Sequence, residues 1–295
     1  MYESALRGSP RERSPDACRP RGRPHASGPF RVGSALCRAS VRGADIVREV
    51  PATTGDARVC GRYASTTTDK ELRSLFDVAE SVGPEVPPSY NVAPTRQVRV
   101  VLERAPRREP RAGAERQLRT AKWGLVPAWS KDPKIGSRLI NARSETITEK
   151  PSFRSAAAKR RCIIPADGYF EWMKDAEGKK IPYFLHGDDP VLAMAGLYEL
   201  WPDPSKAEDD PDRWLWTTTV LTTQATDATG HIHDRSPVIL PASFWEHWLD
   251  PSITDRDEVQ AMVNSIPEPH LQPYQVSTAV NNVENDRPEL LNPVG

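Results

Sequence analysis

What most restricts the fold of this chain is a succession of short apolar runs, each closed by proline, glycine or a cluster of charges. From residue 97 onward they read "QVRVVLE", "LRTAKWGLVP", "RCIIPADGYFEW", "IPYFLHG", "VLAMAGLYELW", "RWLWTTTVLTT" and "SPVILP". Rich in β-branched and aromatic residues, they predict strands. "YQVSTAV" predicts a last strand, and short helices fit 152–160, "PASFWEHWL" and 253–264. One longer helix is expected in "TTTDKELRSLFDVAESVG": Thr68 caps it with Glu71 three residues on, Leu72, Leu75, Phe76 and Ala79 share a face, and Gly83 stops it. Residues 104–116 read as a hairpin insertion in solvent, and 202–212 as an acidic surface loop. There is no internal repeat and no regular βαβ alternation. The expected architecture is α+β, a single domain on a curved, barrel-like, mostly antiparallel sheet with a few flanking helices.

The chain changes texture at Cys60. Residues 1–58 carry eleven arginines, no lysine and six acids, a net of +5, and the remainder carries −5, so the formal zero of the whole hides an asymmetry. Pro, Gly, Ser and Ala fill the gaps between those arginines without apolar periodicity, and such a segment cannot bury enough surface to offset its ordering entropy. Residues 1–59 are therefore expected to be a disordered or wrongly assigned extension outside the fold, and 60–295 the domain. Lysine-free, Arg/Pro/Gly/Ala-rich text is what GC-rich DNA upstream of a true start would give when translated. No apolar run reaches eighteen residues, so no membrane span is expected, and no signal peptide precedes the domain. The four cysteines, Cys18, Cys37, Cys60 and Cys162, form no C-x-x-C pair, which suits a reducing cytoplasm rather than a disulfide or zinc framework.

Several polar residues stand where a purely structural role is awkward. "LINARSET" places Asn141 and Arg143 where a strand should be ending. "DGYFEW" sets Glu171 among aromatics in a run that reads as buried strand. A glutamate there needs a partner, and burial would raise its pKa toward the range of a general acid or base. "GHIHDRSPVIL" sets His231, His233, Asp234 and Arg235 in a turn entering an apolar strand. His231 and His233 could share a strand face, but no second ligand cluster accompanies them and no metal is expected. Each residue also has an ordinary reading: Glu171 paired with an arginine, the histidines solvated or capping, Asn141 capping a turn, Trp129 in the core. Cys162 heads an apolar strand and reads as an inert core thiol.

Taken together, "CGRYA", "YNVAPT", "WGLVPAW", "LINARSET", "SFR", "RCIIPADGYFEW", "PYFLHG", "AGLYE", "TTTVLTTQA", "HIHDRSPVIL" and "VSTAVNNVEND" follow one another as in the SOS response-associated peptidase (SRAP) family, which residues 60–294 resemble in order. The resemblance implies a protein that binds single-stranded DNA, or a single-strand/double-strand junction, at an abasic site. It also implies covalent bonding to the sugar aldehyde through an N-terminal cysteine, protecting the lesion in the DNA-damage (SOS) response. A thiol autopeptidase activity that frees the cysteine, with a lyase activity besides, belongs to the same implication. Carried over residue by residue, Cys60 would be the nucleophile and Glu171 the proton shuttle. Asn141 would orient the cysteine or the sugar, and His233 would be a second acid/base group. Arg62, Arg143 and Arg235 would meet phosphates, Asn91 and Pro94 would line the pocket, and Trp123 and Trp129 would offer faces to unstacked bases. No cofactor is expected, and the protein is expected to be a cytoplasmic monomer, on the nucleoid when engaged with DNA.

An N-terminal cysteine suits this chemistry. Its α-amine, with a pKa near 8, is partly neutral at pH 7 and forms an imine with the aldehyde; the neighbouring thiol then closes a five-membered thiazolidine. Two departures from the family pattern stand out: Ser130 follows Trp129 where a second aromatic is often found, and Cys60 is internal, so its nitrogen is an amide. Val59 occupies the initiator position, as a GTG start codon would be rendered inside a longer reading frame. Two other functions remain open on sequence grounds. One is a thiol peptidase using Cys60 and His233. The other is a non-catalytic single-stranded DNA-binding module helped by the arginine-rich arm.

Overall fold

The computed structural model describes residues 60–104, 113–225 and 229–294, all inside one compact unit, Gly55–Gly295. The arginine-rich segment and the tip of the 104–116 insertion lie outside the described residues.

The chain enters through β1 (Arg62–Ser65) and turns into α1 (Asp69–Leu75). The expected capping box is present: Thr68 Oγ1 accepts from the Glu71 amide, and the Glu71 carboxylate accepts from the Thr68 amide. The helix ends at Leu75, well short of the expected stop at Gly83. Residues 80–82 form β2 (Glu80–Val82), which pairs in parallel with Gln117–Arg119 of β5 (Glu115–Trp123). A ladder partner far along the chain overrides the local helical pattern here, leaving Leu75 42% exposed instead of in the core. Gly83, at φ +98°, closes this strand and is not a helix stop.

After β3 (Ser89–Val92), β4 (Gln97–Arg104) runs antiparallel to β5 along its whole length, which confirms the hairpin. "LINARSET" is not a strand end. Asn141–Arg143 is itself a short strand, β6, parallel to residues 220–222. Then come α2 (Arg154–Lys159), β7 (Arg161–Ala166), β8 (Gly168–Lys174), β9 (Lys180–His186), β10 (Leu192–Pro202), β11 (Trp214–Gln224) and β12 (Arg235–Pro237). Two short helices, α3 (Trp245–Leu249) and α4 (Arg256–Asn264), and a last strand β13 (Gln272–Gln275) complete the order. β13 is shorter than expected, because Ser277 caps a tight turn over Thr278–Asn281.

Strands β11, β10, β7, β4 and β5 pair in that order, and a parallel contact between β11 and β5 closes them into a five-stranded mixed barrel. A second sheet runs β13-β9-β8-β1-β3. The period-2 pattern divides the barrel residues between two cores. Val100, Leu102, Trp123, Cys162, Ile164 and Met194 pack with Tyr63, Val92 and Tyr169 of the second sheet. Their neighbours Val101, Leu118, Ile163, Ala195 and Leu221 pack with Leu72, Phe76, Trp248 and Val259 of the helices. This alternation is why both faces of the barrel strands are apolar.

β8 is held against β9 by the absence of a side chain. A Cβ at Gly168 would stand 2.4 Å from Phe184 Cζ and 2.6 Å from the Leu185 carbonyl oxygen. That carbonyl belongs to the ladder and cannot swing aside. Gly168→Ala is therefore expected to cost about 2 kcal/mol, lowering the melting temperature in a calorimetric scan by roughly 4–8 °C.

Candidate functional site

β1 lies antiparallel to β8, with Arg62 opposite Phe170 and Ala64 opposite Gly168. Cys60 therefore reaches the neighbourhood of Glu171 two residues before the strand begins. Its backbone sits at φ +44°, in the left-handed region that non-glycine residues seldom occupy. The Cys60 N–H donates to Glu171 Oε2 at 2.8 Å, and the Trp172 N–H donates to Oε1 at 3.2 Å. Both residues are shut from solvent, Cys60 at 0% exposure and Glu171 at 4%.

Burial sets the proton affinities. Desolvation raises the Glu171 carboxyl to about 7, with the Asp234 charge adding to the rise, while the two N–H donors and Lys180 pull the other way. The Cys60 thiol is pushed well above the ordinary thiol range by burial first and by Glu171 second. The pair is thus a carboxyl that exchanges protons at neutral pH, against a nitrogen whose sulfur stays protonated. Cys162, also buried, is raised to about 12 and is the expected inert core thiol.

His233 sits in a turn whose amides at Ile232 and His233 donate to the Thr229 carbonyl. Its Nδ1 accepts from the Arg235 amide at 3.0 Å and lies 2.9 Å from Asp234 Oδ1. These contacts demand opposite protonation of one nitrogen. Burial lowers the histidine pKa, so the neutral ring holds, with Nδ1 bare and the proton on Nε2. Asp234 lies largely in water, and its charge adds to the rise at Glu171.

Beside the pair opens a groove of about 800 Å³, lined by Gly61, Arg62, Pro94, Trp172, Lys180 and Asn281 among others. Pro94 is among the residues of its wall. Arg62 and Asn91 do something the sequence did not suggest: they tie down the strap of residues 279–286. Arg62 Nη1 donates to Asn91 Oδ1 and the Val280 carbonyl; Asn91 Nδ2 donates to the carbonyls of Val280, Asn282 and Asn285. Trp172 Nε1 donates to Asn281 Oδ1 at 2.7 Å, and the Tyr90 amide to Asp286 Oδ1.

The remaining candidates divide. Trp123 cannot offer a face to a base: it is 0% exposed, edge-on to Tyr63 at 5.1 Å, with Nε1 donating to the Ile140 carbonyl. Its place in an alternating strand makes it core. Trp129 is 61% exposed, and its ring is open to solvent. Asn141 stands on β6, paired with Val220. Arg235 is held in a bidentate pair with Glu145 and also donates to the Thr222 carbonyl. Arg143 is exposed and does not line the groove. Trp172, Lys180, Arg96 and Asn281 were not singled out from the sequence, although Trp172 follows Glu171 directly and Asn281 lies in a quoted motif. Among the described residues no group of three or more His, Cys, Asp or Glu stands in a metal-binding arrangement.

A family model described as SOS response associated peptidase (SRAP) matches residues 59–283. The chain is 37% identical over 235 residues to the abasic site processing protein YoqW of Bacillus subtilis (strain 168), a match covering 79% of this chain and 99% of that protein. It is 33% identical over 272 residues to the abasic site processing protein HMCES of Gallus gallus, covering 80% and 78%. A crystal structure from Bacteroides thetaiotaomicron has the same fold, with a TM-score of 0.64 at 24% identity over 80% of this chain and 100% of that one.

The raised carboxyl makes stability depend on pH. Glu171 holds its proton up to about 7 in the fold, against about 4.3 in an unfolded chain. Between those values the folded state binds more protons, so this group's contribution is favourable at low pH and is lost as pH rises through the window. Glu171→Gln removes the titration. In urea unfolding the variant is expected to gain about 2–3 kcal/mol on the parent between about pH 5 and pH 8; a constant difference would mean the carboxyl titrates as it does in water.

Proposed function

This chain belongs to the SOS response-associated peptidase family, and from that premise we propose that it processes abasic sites by capturing the ring-opened sugar of single-stranded DNA on Cys60. The observation that carries the reading is the 2.8 Å contact between the Cys60 nitrogen and a buried carboxyl whose pKa is about 7. No other arrangement of the described residues sets a proton carrier so close to a nitrogen and sulfur on adjacent carbons.

The chemistry requires Cys60 nitrogen as an amine, so the Val59–Cys60 bond must be absent from the acting form, through initiation at Val59 or through cleavage. The free amine attacks C1′ of the aldehyde to give a carbinolamine. Glu171 gives its proton to the departing hydroxyl, which leaves as water, and a protonated imine results beside the Glu171 carboxylate. The thiol then adds to C1′ and its proton returns to the Glu171 carboxylate, leaving a neutral ring nitrogen and a restored carboxyl. One aldehyde, one amine and one thiol become a thiazolidine and one water, without oxidation or reduction. Because the thiol is held protonated, sulfur waits for the imine, and the order is nitrogen first. Tethering makes the second step intramolecular, with the advantage that brings.

The other candidates take supporting roles. His233 presents its Nε2 proton to sugar or phosphate, and Asn141 orients the reacting groups. Trp129, Arg143 and Arg235 meet the strand farther out. A thiolate peptidase is disfavoured, because burial suppresses the thiolate and no hydrogen bond joins His233 to the Cys60 thiol among the described residues.

A chain starting at Cys60, mixed with a single-stranded oligonucleotide bearing one abasic site, is expected to give a band that survives denaturing electrophoresis. Cys60→Ala should abolish it, and the full chain with Cys60 internal should give none. Glu171→Gln should slow adduct formation about 100-fold while DNA affinity changes by no more than a few-fold. An adduct that persists in Cys60→Ala would overturn the reading.

A further inference from the structure

A DNA strand brings one negative charge per nucleotide, and phosphates are held by cations or by aimed N–H groups. The folded part of this chain is acidic overall, yet no carboxylate lines the groove beside Cys60, and three cations do: Arg62, Arg96 and Lys180. Arg62 has both protons of Nη1 committed to Asn91 and Val280. Arg96 and Lys180 are exposed, and neither side chain makes a hydrogen bond or ion pair with another described residue.

The sheet order β9-β8-β1-β3 places these two cations on opposite sides of the reactive pair. Lys180 opens β9, on the β8 side, near enough to Glu171 to affect its charge. Arg96 closes the turn that follows β3, on the far side of β1. That turn is anchored from both ends to one buried residue: the Thr95 amide donates to the Trp123 carbonyl at 2.8 Å, and the Trp123 amide donates to the Arg96 carbonyl at 2.9 Å. Thr95 is held there at φ +73°, a conformation a β-branched residue adopts only when its surroundings impose it. Arg96 thus projects from a rigid base. Beyond it lies a second depression of about 710 Å³ whose lining includes Glu85, Glu284 and Asp286. Those carboxylates repel phosphate, so Arg96 marks the border between a surface that accepts a DNA backbone and one that rejects it.

We propose that Arg96 and Lys180 form a two-cation clamp that grips the backbone phosphates on either side of the abasic nucleotide and lays its sugar across β1 at Cys60. The proposal rests on the capture reading for the place of the sugar, and on the groove alone for the path of the strand. Arg96 supplies a planar fork suited to bidentate phosphate contact, and Lys180 a mobile point charge. Neither reads a base, so the clamp holds any sequence.

The test is binding of a fluorescein-labelled, undamaged oligothymidylate to the chain starting at Cys60, titrated across a range of salt concentrations. Removing one phosphate-binding cation is expected to reduce the slope of log K against log salt by about 0.7 for a single strand. Arg96→Gln and Lys180→Gln should each do so, and the double variant should lower it by about 1.4 with at least a tenfold weaker Kd at low salt. Arg96→Lys should keep the parental slope, as should Lys70→Gln on the exposed face of α1, and unchanged melting curves would establish folding. A double variant that keeps the parental slope overturns the clamp. Undamaged DNA has no aldehyde, so the two readings separate: a parent that forms no adduct with abasic DNA yet shows the slope changes would sink covalent capture and leave the clamp standing.

Discussion

The hydrogen bond from the Cys60 nitrogen to Glu171 is the contact on which the rest of the site depends. A buried carboxyl is unstable as an anion unless donors face it, and here two backbone N–H groups do. They offset part of the desolvation, not all of it, and the carboxyl settles near neutrality instead of fully protonated or fully ionised. Without β1 paired to β8, neither the left-handed turn at Cys60 nor its inward-facing N–H would be held. The same burial acts differently on the two heteroatoms of Cys60. It quiets the sulfur and leaves the nitrogen beside a proton carrier.

Charge is organised at the same scale. The folded region is acidic as a whole, but its acids are gathered in surface loops, in the depression beyond Arg96 and in pairs such as Arg235–Glu145. What remains around Cys60 is a groove free of carboxylates. A local arrangement of a few side chains, and not net charge, sets the potential within that groove.

The parts of this structure that repeat locally were legible in the sequence. The Thr68 capping box, the short apolar strands of the barrel and the buried glutamate that needed a partner all follow from neighbours within a few residues. Glu171 was recognisable because an ionisable group in an apolar strand is a conflict that structure must resolve. The features that escaped depend on distant partners. α1 is cut short because β2 finds β5 about 35 residues later. Trp123 is withdrawn from the surface because a carbonyl at Ile140 and the ring of Tyr63 receive it. Arg62 and Asn91 looked like phosphate and pocket residues, since nothing near them in the chain reveals that the carbonyls of residues 280–285 lie within reach.

That strap has a consequence in time. A chain leaves the ribosome N-terminus first, and Cys60, Arg62 and Glu171 emerge long before Val280 and Asn285. Until those late residues arrive, Arg62 and Asn91 have no carbonyls to grip and the groove lacks a wall. The Cys60–Glu171 pair at the start of the domain thus lacks its completed cleft until the strap has been made. A chain stopped before the strap would carry Cys60 and Glu171 without the wall that shapes the groove beside them.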